Sequence, residues 1–281
     1  NGIGVLSIDP SSNSLIDASS VTHTYDSLVV ATGSRAFVPE NYPMNKSNMF
    51  TIRQREDVER IQALLKPNAR IAIVGGGLLG LEMADAFDAL GYQIDLIQQS
   101  DRLMPRQLDA LSGKLLKQQI EEKNIVVHLN DQVVHFVEDS HNQNRIAAIK
   151  LKTGKTLQAD IVMCAIGTTP NIDMLRAAGV ACGRGAKVNS RLQSSVDNIY
   201  CIGEIAELDG MMWGITAAAE EQADVLAKVL YGDPHVNYKG STFMNILKLK
   251  DIHLSSVGMI EEPLNDDSYQ VVRMEDVSRH Y

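Results

Sequence analysis

The sequence predicts an α/β protein built on a doubly wound parallel sheet, and three observations carry that expectation. Between residues 70 and 128, short apolar runs alternate with amphipathic ones in the order strand, helix, strand, helix, strand. A glycine-rich turn, Gly75-Gly76-Gly77-Leu78-Leu79-Gly80, occupies the first strand-to-helix junction. Two later apolar runs, Asp160–Ile166 and Ile199–Ile202, each end at a glycine, Gly167 and Gly203.

The elements follow in chain order. Gly4–Ile8 and Leu15–Ile16 flank Asp9-Pro10-Ser11-Ser12-Asn13 and predict a hairpin. Tyr25–Ala31 reads as a buried strand, and the polar stretch Ser34–Ser47 as a connection between domains. Val58, Ile61, Leu64 and Leu65 place an amphipathic helix over Arg55–Leu65, stopped by Pro67-Asn68. Arg70–Val74 is then a strand and Leu78–Leu90 a helix, with Gly91 as its C′ residue. Gln93–Gln98 is a strand, Leu108–Lys123 a helix and Ile125–His128 a third strand. Gln132–Val137, Arg145–Leu151 and Thr156–Leu157 read as antiparallel strands, two of them joined by a tight turn at Thr153-Gly154. A short helix is expected over Asn171–Ala178 and a long one over Ile215–Leu230. Beyond Gly232-Asp233-Pro234 the pattern changes to strands over Phe243–Lys250, Ile252–Met259 and Tyr269–Met274, with a boundary near His235.

Composition narrows the function classes. Apolar residues make up 44% of the chain and charged ones 22%, which is ordinary for a soluble globular protein. The net charge of −9 and the absence of a basic cluster argue against nucleic acid as a partner. No apolar run approaches the ~20 residues of a membrane span, so no membrane association and a cytoplasmic location are expected. The three cysteines, Cys164, Cys182 and Cys201, form no close pair, which argues against a disulfide framework or a metal site. His128, His135 and His141 lack metal-ligand spacing. Thr153-Gly154-Lys155-Thr156 mimics the end of a phosphate-binding loop, but Ile149 stands where that loop needs glycine. The chain starts at Asn1 and stops at Tyr281 in patterned sequence, and is expected to be a piece of a longer one.

The glycine turn is the sharpest chemical signal. Gly75, Gly77 and Gly80 fit the spacing G-x-G-x-x-G between a strand and a helix. The first glycine permits the tight turn, the second lets backbone approach a pyrophosphate, and the third lets helix and strand pack closely. The helix N-terminus adds free N–H groups and a positive dipole end. An acidic residue is expected at the end of the second strand to bond the adenosine ribose. Gln98 stands there instead and lacks the charge that would repel a 2′-phosphate. Arg102 is either a 2′-phosphate partner or a solvated loop charge, so NADH and NADPH both stay open.

Four segments in order then carry a resemblance. Tyr25 to Ser34 (YDSLVVATGS), Val74 to Glu82 (VGGGLLGLE), Ile161 to Asn171 (IVMCAIGTTPN) and Tyr200 to Glu204 (YCIGE) resemble motifs of the FAD-dependent pyridine nucleotide–disulfide oxidoreductase superfamily. The resemblance covers residues 25 to about 231. It implies Rossmann-like FAD- and NAD(P)H-binding domains, a parallel sheet with antiparallel crossover strands, followed by part of a small α+β domain. The implied division is 1–51 and 167–235 for the FAD-binding domain, 52–166 for the NAD(P)H-binding domain and 236–281 for a partial C-terminal interface domain.

By resemblance, Gly75, Gly76, Gly77, Leu78, Leu79 and Gly80 face the NAD(P)H pyrophosphate, Glu82 lies near the nicotinamide end, and Ile166 and Gly167 line the same cleft. Thr32, Gly33, Arg35, Gly203 and Glu204 are expected at FAD, where Glu204 replaces the usual Asp. Trp213 is either a flavin neighbour or ordinary core. No side chain is expected to act as a general acid or base, since the flavin supplies the hydride chemistry. The run Leu103 to Asp109 and the segment Gly203–Ala206 look most like nitrite reductase large subunits and rubredoxin reductases. That branch implies a redox partner protein or a downstream iron–sulfur or haem domain as electron acceptor. Alternatives are a ferredoxin reductase or NADH oxidase-like enzyme, a cysteine-dependent disulfide or peroxide reductase, or a non-catalytic nucleotide-binding fragment. A homodimer is an expectation from the superfamily alone.

Overall fold

The structure is a computed structural model that describes residues 2–260 together with Val272 and Met274. The chain gathers into two compact units, one of Asn1–Arg35 with Thr168–Phe243 and one of Ala36–Gly167 with the segment from Met244 onward. The strand expected over Tyr269–Met274 lies outside the continuously described residues.

The second unit is built on a five-stranded sheet in the order Met49–Phe50, Ile161–Cys164, Arg70–Val74, Gln93–Ile97, Ile125–His128. All four pairings are parallel. Apolar residues therefore occur on both faces of each central strand, as a sheet covered on both sides requires. Side chains alternate across a strand, so Ile71 and Ile73 point one way and Ala72 and Val74 the other. Ile71 and Ile73 join Leu81, Ala84, Leu116 and Ile120 of the helices Leu78–Ala89 and Ala110–Glu121 in one core. Ala72 and Val74 join Val133, Ile149 and Leu151 in another. Those last residues belong to an antiparallel sheet of Val133–Glu138, Ile146–Leu151 and Thr156–Gln158, which covers the second face. Each fully buried Ile or Leu contributes roughly 1.5–3 kcal/mol relative to exposure, and Ile73, Leu81, Leu96 and Ile120 are all wholly enclosed.

Local chemistry sets the ends of the helices. The helix Leu78–Ala89 starts from Gly77, and Gly91 takes the left-handed conformation past its end (φ 83°). The helix expected from Leu108 begins at Ala110, because the Asp109 side chain caps it by accepting the Ser112 N–H at 2.8 Å. Leu108 is instead buried in the core just before the cap.

The hairpin Met244–Leu249 with Ile252–Val257 also belongs to this unit. Leu247, Leu249 and Ile252 enter its first core. An ion pair fixes it: Lys123 Nζ lies 2.7 Å from Asp85 Oδ1, and Asp85 Oδ2 accepts the Lys250 N–H at 2.8 Å. Asn48, 1% exposed, acts as a spare peptide unit. Its Nδ2 donates to the Ile146 and Asp160 carbonyls, and its Oδ1 accepts the Ile146 N–H.

The first unit is assembled from distant segments. Leu28–Val30 pairs in parallel with Ile199–Cys201. Val5–Asp9, Ser14–Asp17 and Thr22–Thr24 form an antiparallel sheet whose third strand, short and exposed, carries no apolar pattern to announce it. Val30, Ile199, Cys201, Ile205, Trp213 and Leu226 share its core with the helix Thr216–Leu230. Among the described residues, no helix is long and apolar enough to cross a membrane.

Candidate functional site

The glycines of the turn are required for different reasons. A Cβ on Gly75 would lie 2.2 Å from the Ala165 carbonyl oxygen, and φ is +116° there. A Cβ on Gly80 would lie 1.8 Å from the Gly75 carbonyl oxygen. A Cβ on Gly76 would meet Leu103 Cδ2 at 2.7 Å. Backbone oxygens thus exclude a side chain at Gly75 and Gly80, while at Gly76 the buried Leu103 side chain would have to shift. Gly77 differs: φ is −86°, and a Cβ there would meet no protein atom within 4 Å. No packing contact calls for glycine at 77, which is the N-cap of the helix, and the space in front of its backbone is open.

The turn is braced on both sides. The Gly76 N–H donates to Gln98 Oε1 at 2.8 Å. The Gly76 carbonyl accepts the Met104 N–H at 2.9 Å, and Met104 holds a left-handed backbone (φ 48°) to deliver it. Ile166 lies beside the turn, with its Cγ2 3.2 Å from the position of a Gly75 Cβ. Gly167, at φ 122°, needs glycine by conformation alone. Leu78 packs against the core, whereas Leu79 is exposed. Glu82 is half-buried on the helix, and its Oε1 lies 3.4 Å from the Lys248 N–H of the hairpin.

Arg102 does not stand out as a solvated charge. Its Nε donates to the Leu108 carbonyl at 3.0 Å, and its Nη1 lies 3.3 Å from Asp101. Its stem packs where a Cβ on Gly113 would fall, at 2.9 Å. Its side chain is only 19% exposed, so much of the guanidinium's bonding is taken up by protein.

The first unit brings together Gly33, Ser34 and Glu204. Ser34 Oγ donates to Glu204 Oε2 at 2.8 Å across 170 residues of sequence. Gly33 (φ 62°) and Gly203 (φ 76°) both take conformations that favour glycine. The Gly203 N–H donates to Oε1 of Gln222, a side chain on the long helix that is fully buried. The Gln222 Nε2 has no partner. Thr32 Oγ1 donates to the Asn171 carbonyl, Asn171 Nδ2 returns a bond to the Thr32 carbonyl, and Arg35 Nη1 reaches Asn171 Oδ1 and Asp173. Asn171 is the hub here, and its place in the segment ending Thr168-Thr169-Pro170-Asn171 was the only sign of it.

Trp213 is a core residue. It is 6% exposed, its indole N–H donates to the Ser241 carbonyl at 2.7 Å, and its ring stacks on Phe243 and meets Tyr238 edge-on. Ordinary packing, the second of its two readings, accounts for it. The Cys164 and Cys201 thiols are pushed up by burial to about 11 and about 12. Neither has the electropositive, accessible surroundings of a reactive thiol. Among the described residues, no group of His, Cys, Asp and Glu could hold a metal ion.

A parallel sheet with a glycine turn at its first strand–helix junction defines a dinucleotide-binding α/β protein. The particular family is shown by comparison with known proteins. The pyridine nucleotide-disulphide oxidoreductase model matches residues 1–223, and the chain belongs to that family. It is 33% identical over 258 residues to an NAD(P)H nitrite reductase of Bacillus subtilis (strain 168), covering 92% of this chain and 32% of that protein. It is 36% identical over 174 residues to the rubredoxin-NAD(+) reductase of Acinetobacter baylyi, covering 62% of this chain and 44% of that one. The reductase–putidaredoxin complex known from its crystal structure superimposes with a TM-score of 0.85 at 25% identity, covering 92% of this chain and 63% of that chain. The chain thus spans about a third of the length of the nitrite reductase it resembles.

Proposed function

We propose that this chain is the NAD(P)H-binding portion, with part of the FAD-binding portion, of a flavin-dependent NAD(P)H oxidoreductase of the nitrite reductase large-subunit kind. The observation that carries the reading is Gly77, whose open face at the head of the helix answers to no packing contact of the protein. A pyrophosphate laid against its backbone fills that space, with the N–H groups of the following helix turn and the positive end of the helix dipole facing the charge.

The Gly33–Ser34–Glu204 cluster fits part of FAD. The Glu204 carboxylate stands beside two left-handed glycines, its Oε2 3.6 Å from where a Gly33 Cβ would fall, and a carboxylate at that place suits the hydroxyls of a polyhydroxyl chain. FAD, when bound, supplies the hydride-accepting chemistry. The chain's own residues bind and orient. Gly75–Gly80 hold the dinucleotide phosphates, Glu204 and Ser34 hold a hydroxylated part of the flavin nucleotide, and Asn171 locks Thr32 and Arg35 behind them. The electron acceptor is a redox protein or a metal-bearing domain of the whole protein. The names of the nitrite reductase and rubredoxin reductase relatives support this, and so does the reductase–putidaredoxin complex.

The test is a titration of the purified chain with NADH, comparing the native sequence with Gly77→Ala. Alanine is a poorer N-cap residue than glycine but meets no protein atom there, so a loss of up to about 1 kcal/mol and a fall in melting temperature of no more than about 4 °C are expected. NADH affinity is expected to fall at least about tenfold, or 1.4 kcal/mol. An unchanged affinity would remove Gly77 from the binding surface and the reading with it.

A further inference from the structure

We infer that the glycine-turn site accepts NADH and NADPH with comparable affinity, and that Gln98, acting as a fixed hydrogen-bond donor, is the residue responsible. The inference rests on the dinucleotide reading of the turn and adds the choice between the two nucleotides. A primary amide has one acceptor oxygen and two N–H donors. In Gln98 the oxygen is committed, since Oε1 accepts the Gly76 N–H at 2.8 Å. Only an acceptor can meet an N–H, so the amide cannot turn over without losing that bond. Nε2 is thereby turned away from the glycine turn. It bonds to no protein group among the described residues, and it is not one of the buried atoms left without a partner. It is a donor open to solvent.

Position gives that donor its meaning. Gln98 directly follows the strand Gln93–Ile97, the second of the strand–helix–strand series that begins at the glycine turn. The residue at this point in a dinucleotide-binding sheet faces the adenosine ribose. A carboxylate there accepts a bond from the 2′-hydroxyl and repels a 2′-phosphate. A fixed N–H donor instead seeks an acceptor. The hydroxyl oxygen of NADH is one, and the phosphate oxygens of NADPH are others. Neither nucleotide is rejected.

The nearby charges do not restore a preference. Arg102 lies 3.3 Å from Asp101, and its Nε is spent on the Leu108 carbonyl. This cation is paired with an anion and most of its side chain is covered, so it is not a dedicated phosphate clamp. Asp101, which is exposed, has its repulsion offset by the same pairing.

The measurement is a fluorescence titration of the 281-residue chain with NADH and, separately, NADPH. It is made for the native sequence, Gln98→Glu and Gln98→Leu, with a thermal melt of each. Native dissociation constants are expected within about fivefold of one another. Gln98→Glu keeps an acceptor for the Gly76 N–H, so NADH affinity should hold within about threefold while NADPH weakens at least about tenfold. Gln98→Leu removes brace and donor together and should weaken both nucleotides alike. A native preference of tenfold or more overturns the inference alone, and so does a Gln98→Glu variant whose ratio does not move. Failure of the native chain to bind either nucleotide removes the dinucleotide reading and the inference together, so the two failures are told apart by the first titration.

Discussion

The two units obey different rules of construction. In the Ala36–Gly167 unit, the strands Arg70–Val74, Gln93–Ile97 and Ile125–His128 are separated by helices that return the chain to the same sheet, and the glycine turn lies within one strand–helix junction. Its site is local. In the other unit, the parallel pair joins Leu28–Val30 to Ile199–Cys201, and the Ser34–Glu204 bond closes over 170 residues. Its site exists only once distant segments meet. A local site tolerates little change in its own few residues, because they answer to the fold and the ligand together. A distributed site can be disturbed from many places at smaller cost each.

The contrast can be pressed with substitutions, taken in order of expected effect. Gly80→Ala should be the most damaging, because its methyl would sit 1.8 Å from a backbone oxygen that cannot yield without parting helix from strand. A loss of roughly 3 kcal/mol or more is expected in thermal or urea unfolding. A stability within about 0.5 kcal/mol of native would mean that the close approach is relieved more cheaply than packing allows.

Asp85→Ala comes next. Asp85 and Lys123 are 11% and 17% exposed as side chains, so removing the carboxylate strands a largely covered ammonium and frees the Lys250 N–H. A loss of about 2–3 kcal/mol is expected, somewhat below that for a fully buried pair. Hydrogen exchange should locate it, with faster exchange at the Lys250 amide and in the strands Met244–Leu249 and Ile252–Val257. If those amides keep their protection, Leu247, Leu249 and Ile252 hold the hairpin without the ion pair.

The smallest effect concerns the thiols. Cys164 and Cys201 have values raised to about 11 and about 12 by burial, so at pH 8 the thiolate fraction is on the order of a thousandth or less. Because the shift is upward, reactivity should appear only as pH approaches those values. With Ellman's reagent the native chain should show at most one slowly reacting group, the half-buried Cys182, and all three cysteines once denatured. Rapid release of two or three equivalents from native protein would mean that the cores open readily.

Much of the local unit was legible in the sequence because periodicity and glycine spacing are read over short windows. The strands Arg70–Val74 and Ile125–His128 stand where the apolar runs put them. So does the close of the helix Leu78–Ala89 at Gly91. Met49–Phe50, only two residues long, joins the sheet edge without any pattern to mark it. The buried Asn48 before it carries bonds that a strand would otherwise make. The role of Asn171 was hidden for another reason: its partners Thr32 and Arg35 lie more than a hundred residues away, at separations of 139 and 136. Side-chain direction was equally out of reach. Gln98 and Arg102 are close in sequence to the expected ribose position, but the first is tied to Gly76 and the second to Leu108 and Asp101.

The bonds that hold Gly76 from both sides also bear on the pace of recognition. A loop that orders itself around a ligand slows capture and spends part of each encounter on rearrangement. Here the N–H and the carbonyl of the middle glycine are already engaged by Gln98 and Met104 before any nucleotide arrives. On the reading proposed above, capture is expected to be limited by encounter and orientation, with differences between nucleotides written in how long each stays.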